Sequence, residues 1–253
     1  MKNIAAALVF FTRLPFWRLK AFQVAPEYFS QVINYWAVAG WLTGGIMATS
    51  LWLASQVLPY FVAIIIALLS RLLITGALHE DGLADFFDGF GGGNTKERIL
   101  AIMKDSHIGT YGVISLIFYF LLLYSLLSQL SLQWACLSIL MADPLCKYIS
   151  SQMTRFLIYA RTAETSKSGM VYQNMSFKAL FLSSCFGLLP LILAPDFKWL
   201  LAVVFPILTF SGLVMLMKRK IQGYTGDCCG AMFLLCELSL YLGIVIVYQN
   251  LVI

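Results

Sequence analysis

Long uncharged apolar stretches, each about the length of a bilayer, dominate this chain and leave few folds open to it. A helix crossing the hydrocarbon core needs about 20 mostly apolar residues. About seven such windows can be laid along the sequence, at 32–54, 57–75, 112–128, 132–150, 177–194, 199–217 and 229–248. They stay apolar over whole helical turns, as at 64–69 and 240–247, whereas membrane β-strands alternate and span in about ten residues. The expected class is therefore all-α: a polytopic transmembrane helical bundle of about seven transmembrane helices, with amphipathic helices in its loops. Composition agrees, since 11% of the residues are charged against roughly 25% in soluble domains. The apolar segment 4–12 is too short to span. No small-residue cleavage site follows it closely, so an interfacial or half-inserted segment is expected rather than a signal peptide.

The connections alternate in length. Short turns at 56, 129–131 and 195–198 fall on one side, and the longer segments 1–31, 76–111, 151–176 and 218–227 on the other. Of the 17 Lys and Arg, only Lys198 belongs to the short-turn side. The positive-inside rule then puts the long loops in the cytoplasm and the carboxyl terminus outside. No repeat or linker divides the chain, so one catalytic domain over residues 1–253 is expected. A net charge of +5 without a basic patch gives no reason to expect nucleic acid as a partner. The six cysteines form no CxxC pair and read as packing residues.

Chemistry is expected in the loops, and segment 79–90 is the most specific part of the sequence. On a helix at 100° per residue with Asp81 at 0°, Asp85 falls at about 40° and Asp88 at about −20°. Leu83, Phe86, Phe87 and Phe90 occupy the opposite side. Carboxylates at such spacing repel one another, and a divalent cation removes that cost. Oxygen donors alone favour Mg²⁺ or Mn²⁺ over zinc, and magnesium binds through one or two carboxylates together with substrate phosphates. A phosphate ester or diphosphate is therefore the expected ligand. Gly82 and Gly89 flank the stripe and leave room for a substrate at the backbone.

Two further constellations follow. Segment 103–112 offers Lys104 as a phosphate-binding cation, Asp105 as a further metal ligand or a base, and His107. Segment 223–231 places Thr225, Gly226 and Asp227 at the start of the last apolar window, where Thr225 or Asp227 can cap the helix and the helix amides can attract an anion. Three intramembrane charges, Arg71, Asp143 and Glu237, are candidates for function or for pairing with a neighbouring helix. Arg71 with Asp143 is one such pair.

Taken together, residues 79–89, 102–112 and 225–231 resemble the HxDGxAD…DG, I-M-K/R-D…G-T-x-G and TGDxxGA motifs of the cobalamin synthase family, the adenosylcobinamide-GDP ribazoletransferases. The opening Phe10-Phe11-Thr12-Arg13-Leu14-Pro15 is similar to that family's start. The resemblance implies a Mg²⁺-dependent transferase of the nucleotide loop assembly steps of cobalamin biosynthesis, multi-pass in the bacterial inner membrane, with its site on the cytoplasmic side. Its substrates would be adenosylcobinamide-GDP and α-ribazole or its 5′-phosphate, and GMP would be released. Carried over by residue, it implies Asp81, Asp85 and Asp88 as the metal site. Glu80, where the family commonly has an apolar residue, is a further ligand. His79, Gly82, Gly89, Lys104, His107, Thr225 and Gly226 become substrate contacts, and Asp105 and Asp227 catalytic groups. Lipid is an expected partner, and a homo-oligomer or contacts with other enzymes of the pathway fit the same picture. Two alternatives stand beside it. A CDP-alcohol phosphotransferase uses a related aspartate motif, but Asp85 stands where its Arg would be. A transporter would place polar groups at mid-membrane on broken helices.

Overall fold

The computed structural model describes residues 1–160 and 175–252. Part of the long segment 151–176 therefore lies outside the described residues. The described chain is helical, with no strand and only an isolated parallel bridge between Tyr159 and Tyr224. In order, the α-helices are α1 (Lys2–Phe11), α2 (Trp36–Ser55), α3 (Tyr60–Thr75), α4 (Leu78–Gly92), α5 (Lys96–Lys104), α6 (Thr110–Ser128), α7 (Leu132–Ser151), α8 (Met153–Phe156), α9 (Phe177–Leu188), α10 (Val204–Lys220) and α11 (Gly226–Val252).

Among the described residues, four helical stretches are long and apolar enough to cross a membrane: Pro26–Ser55, Thr110–Ser128, Phe197–Lys220 and Gly226–Asn250. A fifth arises if α3 and α4 count as one broken span. The expected seven shrink for three physical reasons. Window 57–75 gives a helix of only 16 residues, because Gly76 caps α3 in the left-handed region at φ 64° and its N–H bonds to the Leu72 carbonyl. Window 132–150 forms a 20-residue helix, α7, but Gln133, Asp143 and Lys147 lower its apolar character. Window 177–194 yields an apolar helical stretch that ends at Leu193 and is too short to cross.

The corner after α3 sets up everything that follows. Gly76 and Ala77 both take positive φ, 64° and 56°, which costs an alanine about 1–2 kcal/mol. α4 then leaves at 89° to α3. The opening motif braces this corner: the Arg13 amide donates to the Ile74 carbonyl at 2.6 Å, and the Arg13 side chain lies over Gly76, where a Cβ would meet its Cγ at 2.7 Å.

Backbones approach closely at glycines, as in other membrane bundles. A Cβ on Gly40 would lie 2.8 Å from the Pro144 nitrogen, and one on Gly44 2.9 Å from Asp143 Cβ, so α2 and α7 meet along that edge. α4 and α11 cross in the same way, as described below. α11 is the most buried of the candidate crossing helices.

Buried charges are paired beneath this crossing. Arg71 forms an ion pair with Glu237 and donates to the Tyr119 hydroxyl at 2.7 Å. That hydroxyl donates to the other Glu237 oxygen at 3.2 Å. Asp143 pairs with Lys147 one turn along α7, and Thr43 links the two, accepting from Lys147 at 2.6 Å and donating to Asp143 at 2.9 Å. The expected Arg71–Asp143 pair is thus replaced by two separate pairs that both adjoin Phe233, whose ring lies 4.6 Å from Lys147 Nζ and 5.9 Å from the Arg71 guanidinium. Four of the six cysteines are buried and Cys185 is exposed.

Candidate active site

The site is built on α4, which forms as the hydrophobic periodicity dictates. Leu83 and Phe86 are buried, and Phe86 stacks on Phe90 with ring centroids 4.2 Å apart. The opposite side carries the carboxylates, with Asp81 exposed and Asp85 half-buried.

The crossing of α4 and α11 brings a third acid beside them. A Cβ on Gly82 would lie 2.9 Å from the Asp227 carbonyl oxygen and 3.1 Å from its Cα. Across the same crossing a Cβ on Gly230 would lie 3.0 Å from the His79 carbonyl oxygen. Gly82 therefore serves backbone contact with α11, and that contact sets Asp227 against the turn that carries Asp81 and Asp85. Thr225 caps α11, its hydroxyl accepting from the Cys228 amide at 3.3 Å, and lies 3.4 Å from Asp227 Oδ2. Gly226 faces open space, with nothing within 4 Å of where a Cβ would be.

Asp88 behaves differently from its two partners on the helical wheel. Its carboxylate is 7% exposed and accepts the Gly109 amide at 2.7 Å and the Gly112 amide at 2.8 Å. It thus caps the amino end of α6, using both oxygens to satisfy backbone donors that a helix start leaves unpaired. Among the described residues no three His, Cys, Asp or Glu side chains converge to hold a metal by themselves. Asp88 is therefore committed to the start of α6, apart from Asp81 and Asp85, and it is the backbone of Asp227 that the Gly82 contact brings against α4.

Glu80 and His79 also depart from expectation. Both side chains are buried. His79 sits among the rings of Phe11, Trp36 and Phe233, at centroid distances of 6.2, 5.3 and 5.1 Å. Glu80 Oε2 and His79 Nε2 are buried without a hydrogen-bond partner. The wheel gives the reason: Glu80 falls about 100° off the stripe and His79 about 160° off it. Gly89 packs on α5, where a Cβ would meet the Ile99 carbonyl oxygen at 3.2 Å.

A polar pocket continues the stripe toward the end of α4. Its cavity of about 550 Å³ is lined by Asp88, Arg98, Ile102, Asp105, His107 and Tyr111, among others. The sequence treats Asp105 and His107 as separate candidates, whereas the fold joins them. The His107 Nδ1–H donates to Asp105 Oδ1 at 2.6 Å, and the His107 amide reaches the same oxygen at 3.1 Å. This hydrogen bond raises the His107 pKa above the usual histidine value, and it lowers that of Asp105, with the Arg98 charge a minor contributor. Lys104 stands exposed beside the pair. Sequence reasoning assigned no role to Arg98 or Tyr111. The one signal available was that Tyr111 lies inside the 102–112 motif.

The donors on the exposed face of α4 fit a hard cation. They are carboxylate oxygens without cysteine or histidine, and two of them suffice for magnesium, which keeps several waters and takes its remaining ligands from phosphates.

Comparison with known proteins bears on what such a site serves. The family model described as cobalamin-5-phosphate synthase matches residues 3–245. The chain belongs to this family. It is 37% identical over 248 residues to an adenosylcobinamide-GDP ribazoletransferase of Shewanella sp. strain W3-18-1, covering 95% of this chain and 92% of that one. It is 35% identical to the proteins of the same name from Shewanella oneidensis, over 244 residues, and Shewanella baltica strain OS185, over 248 residues, with the same coverage of each chain. No solved structure matches. In this cobalamin synthase relative, the three motifs fall on the α4 stripe, the α5–α6 junction and the start of α11.

Proposed function

We propose that the chain is a membrane-embedded adenosylcobinamide-GDP ribazoletransferase. It joins the cobinamide phosphate of adenosylcobinamide-GDP to α-ribazole or α-ribazole 5′-phosphate and releases GMP. Membership of the family and the shared name of the relatives support the reaction. The observation that carries the site is the α4–α11 crossing at Gly82, which sets the backbone of Asp227 against the turn of α4 that carries Asp81 and Asp85.

Asp81 and Asp85, with Asp227 beside them, are the residues that would hold Mg²⁺, and the bound ion would offset the charge of a diphosphate. The chain's own residues bind and orient the substrates. Lys104 is an exposed cation next to the site, Gly226 leaves room at the helix start, and Asp88 fixes α6 against α4. In the transfer, a hydroxyl of the ribazole attacks the cobinamide-side phosphorus, the bond to GMP breaks, and the hydroxyl proton is released. Such chemistry depends chiefly on positioning and charge neutralisation. The concentration of Lys and Arg in the long connections supports a bacterial inner membrane protein with this surface on the cytoplasmic side.

Asp81→Asn and Asp85→Asn in nanodiscs, assayed for GMP release, are expected to lose about 10²–10³-fold in turnover, the range for removing one charge-stabilising group. Both variants should remain folded, because neither carboxylate is buried. Turnover near that of the wild type in both would overturn the metal assignment.

A further inference from the structure

The pocket at the end of α4 has one wall that charge neutralisation does not explain. Tyr111 is 53% exposed, yet its ring is fixed from behind. A Cβ on Gly91 would meet ring atoms Cγ, Cδ1 and Cδ2 at 2.7, 2.9 and 2.9 Å, so one ring face rests on the glycine and the opposite face is free. Ala101 and Ile102 continue the apolar side of the cavity. Thr110 and the His107–Asp105 pair supply hydroxyl, imidazole and carboxylate at its edge. Asp88 takes the Gly109 and Gly112 amides at this helix start, which leaves a bare anion fewer backbone donors here. A cavity of about 550 Å³ falls within the size of small-ligand sites. Asp88 belongs both to this cavity and to the acidic stripe, one turn beyond Asp85, so whatever binds here abuts the phosphate chemistry.

We propose that the cavity between α4, α5 and the start of α6 is a nucleoside subsite, in which an aromatic base stacks on the open face of Tyr111 while ribose hydroxyls bond to Thr110 and the His107–Asp105 pair. Stacking on an aromatic side chain suits any base because every base has a π-face. Two nucleosides take part in the reaction, the ribazole acceptor and the guanosine of the departing GMP, and the shared chemistry fits both. The charged and titratable groups that line the cavity with the imidazole are Asp88 from α4, Arg98 from α5, Asp105 from the junction and Tyr111 from α6. This inference rests on the transferase reading.

The test uses the full chain in nanodiscs with added Mg²⁺. Wild-type GMP release is measured first; its absence would refute the transferase reading and the subsite together. Tyr111→Ala is expected to raise either the KM for α-ribazole or the inhibition constant of GMP about tenfold, within the range for losing one base stack, with kcat changed far less. Tyr111→Phe should behave as the wild type, and Gly91→Ala, which drives a methyl into the back of the ring, should resemble Tyr111→Ala. A rise in the acceptor KM assigns the pocket to the ribazole, and a rise in the GMP constant assigns it to guanosine. Neither constant moving, or Tyr111→Phe failing like Tyr111→Ala, overturns the proposal. Should Tyr111→Ala not fold, His107→Gln carries the same two measurements, because that side chain is 90% exposed and supports no packing.

Discussion

Replacing Asp88 separates a structural carboxylate from a metal-binding one. Asp88 accepts two backbone amides, at 2.7 and 2.8 Å, in a buried setting. Treated as an ordinary helix cap, its loss to alanine would cost about 1–2 kcal/mol. Each hydrogen bond to a charged group is worth about 1.5–3 kcal/mol, and a buried donor left without a partner costs about 1–3 kcal/mol. Gly112 is buried, so the larger figures govern, and Asp88→Ala is expected to destabilise by about 3–4 kcal/mol. Asp88→Asn keeps one carbonyl acceptor but loses the charge and the second bond, for about 2 kcal/mol. Unfolding by SDS titration in mixed micelles measures both. In parallel, the Mg²⁺ concentration giving half-maximal GMP release should stay near that of the wild type in Asp88→Asn, while Asp85→Asn should raise it about tenfold or more, as expected for losing one of very few protein ligands. An Asp88→Asn protein as stable as the wild type, with a Mg²⁺ requirement shifted like that of Asp85→Asn, would refute this division of labour.

Two other predictions concern charge. Glu237→Gln leaves Arg71 buried without its counter-ion and should destabilise by about 3–5 kcal/mol, whereas Arg71→Met combined with Glu237→Met should restore most of the loss; SDS titration of the double variant checks this, and an equally unstable double variant counts against the pair as a matched unit. The chain has two histidines, so NMR of isotope-labelled imidazoles can follow His107 directly. Its carboxylate partner stabilises the imidazolium and so raises the pKa. Asp105→Asn removes that stabilisation and should move the titration to lower pH, and a midpoint unmoved by the substitution would show that the hydrogen bond is not the cause.

Much of this arrangement was legible in the sequence. Helical class, the α4 amphipathic face, Asp81 and Asp85 on its exposed side, and the pairing of Arg71 and Glu237 with other helices all follow from periodicity and from the cost of charge in lipid. Asp88 shows where such reasoning ends. On a wheel it is equivalent to Asp81, because a wheel records direction around one helix and nothing of the amide groups another helix brings. His79 and Glu80 are the reverse case: the family motif suggested His79, and Glu80 was a candidate only as a carboxylate beside Asp81, although both fall off the stripe on a wheel. Four or five described stretches meet the length and composition of a span where seven windows were expected, because apolar length was read without its terminators and without the polar residues of window 132–150. Gly76, a helix-ending glycine, was visible at the boundary of window 57–75, but the right-angled departure after it depends on Arg13 and on the packing of α11. The His107–Asp105 bond spans two residues in a loop, where no periodicity foretells side-chain direction.

The right angle at Gly76 and Ala77 also governs how a bulky reactant is met. Because α4 runs crosswise to α3, its carboxylates form a ledge lying across the bundle instead of a row descending along it. A large ring system can rest against such a ledge from the side and present only its phosphate tail. Nothing need be threaded lengthwise between helices.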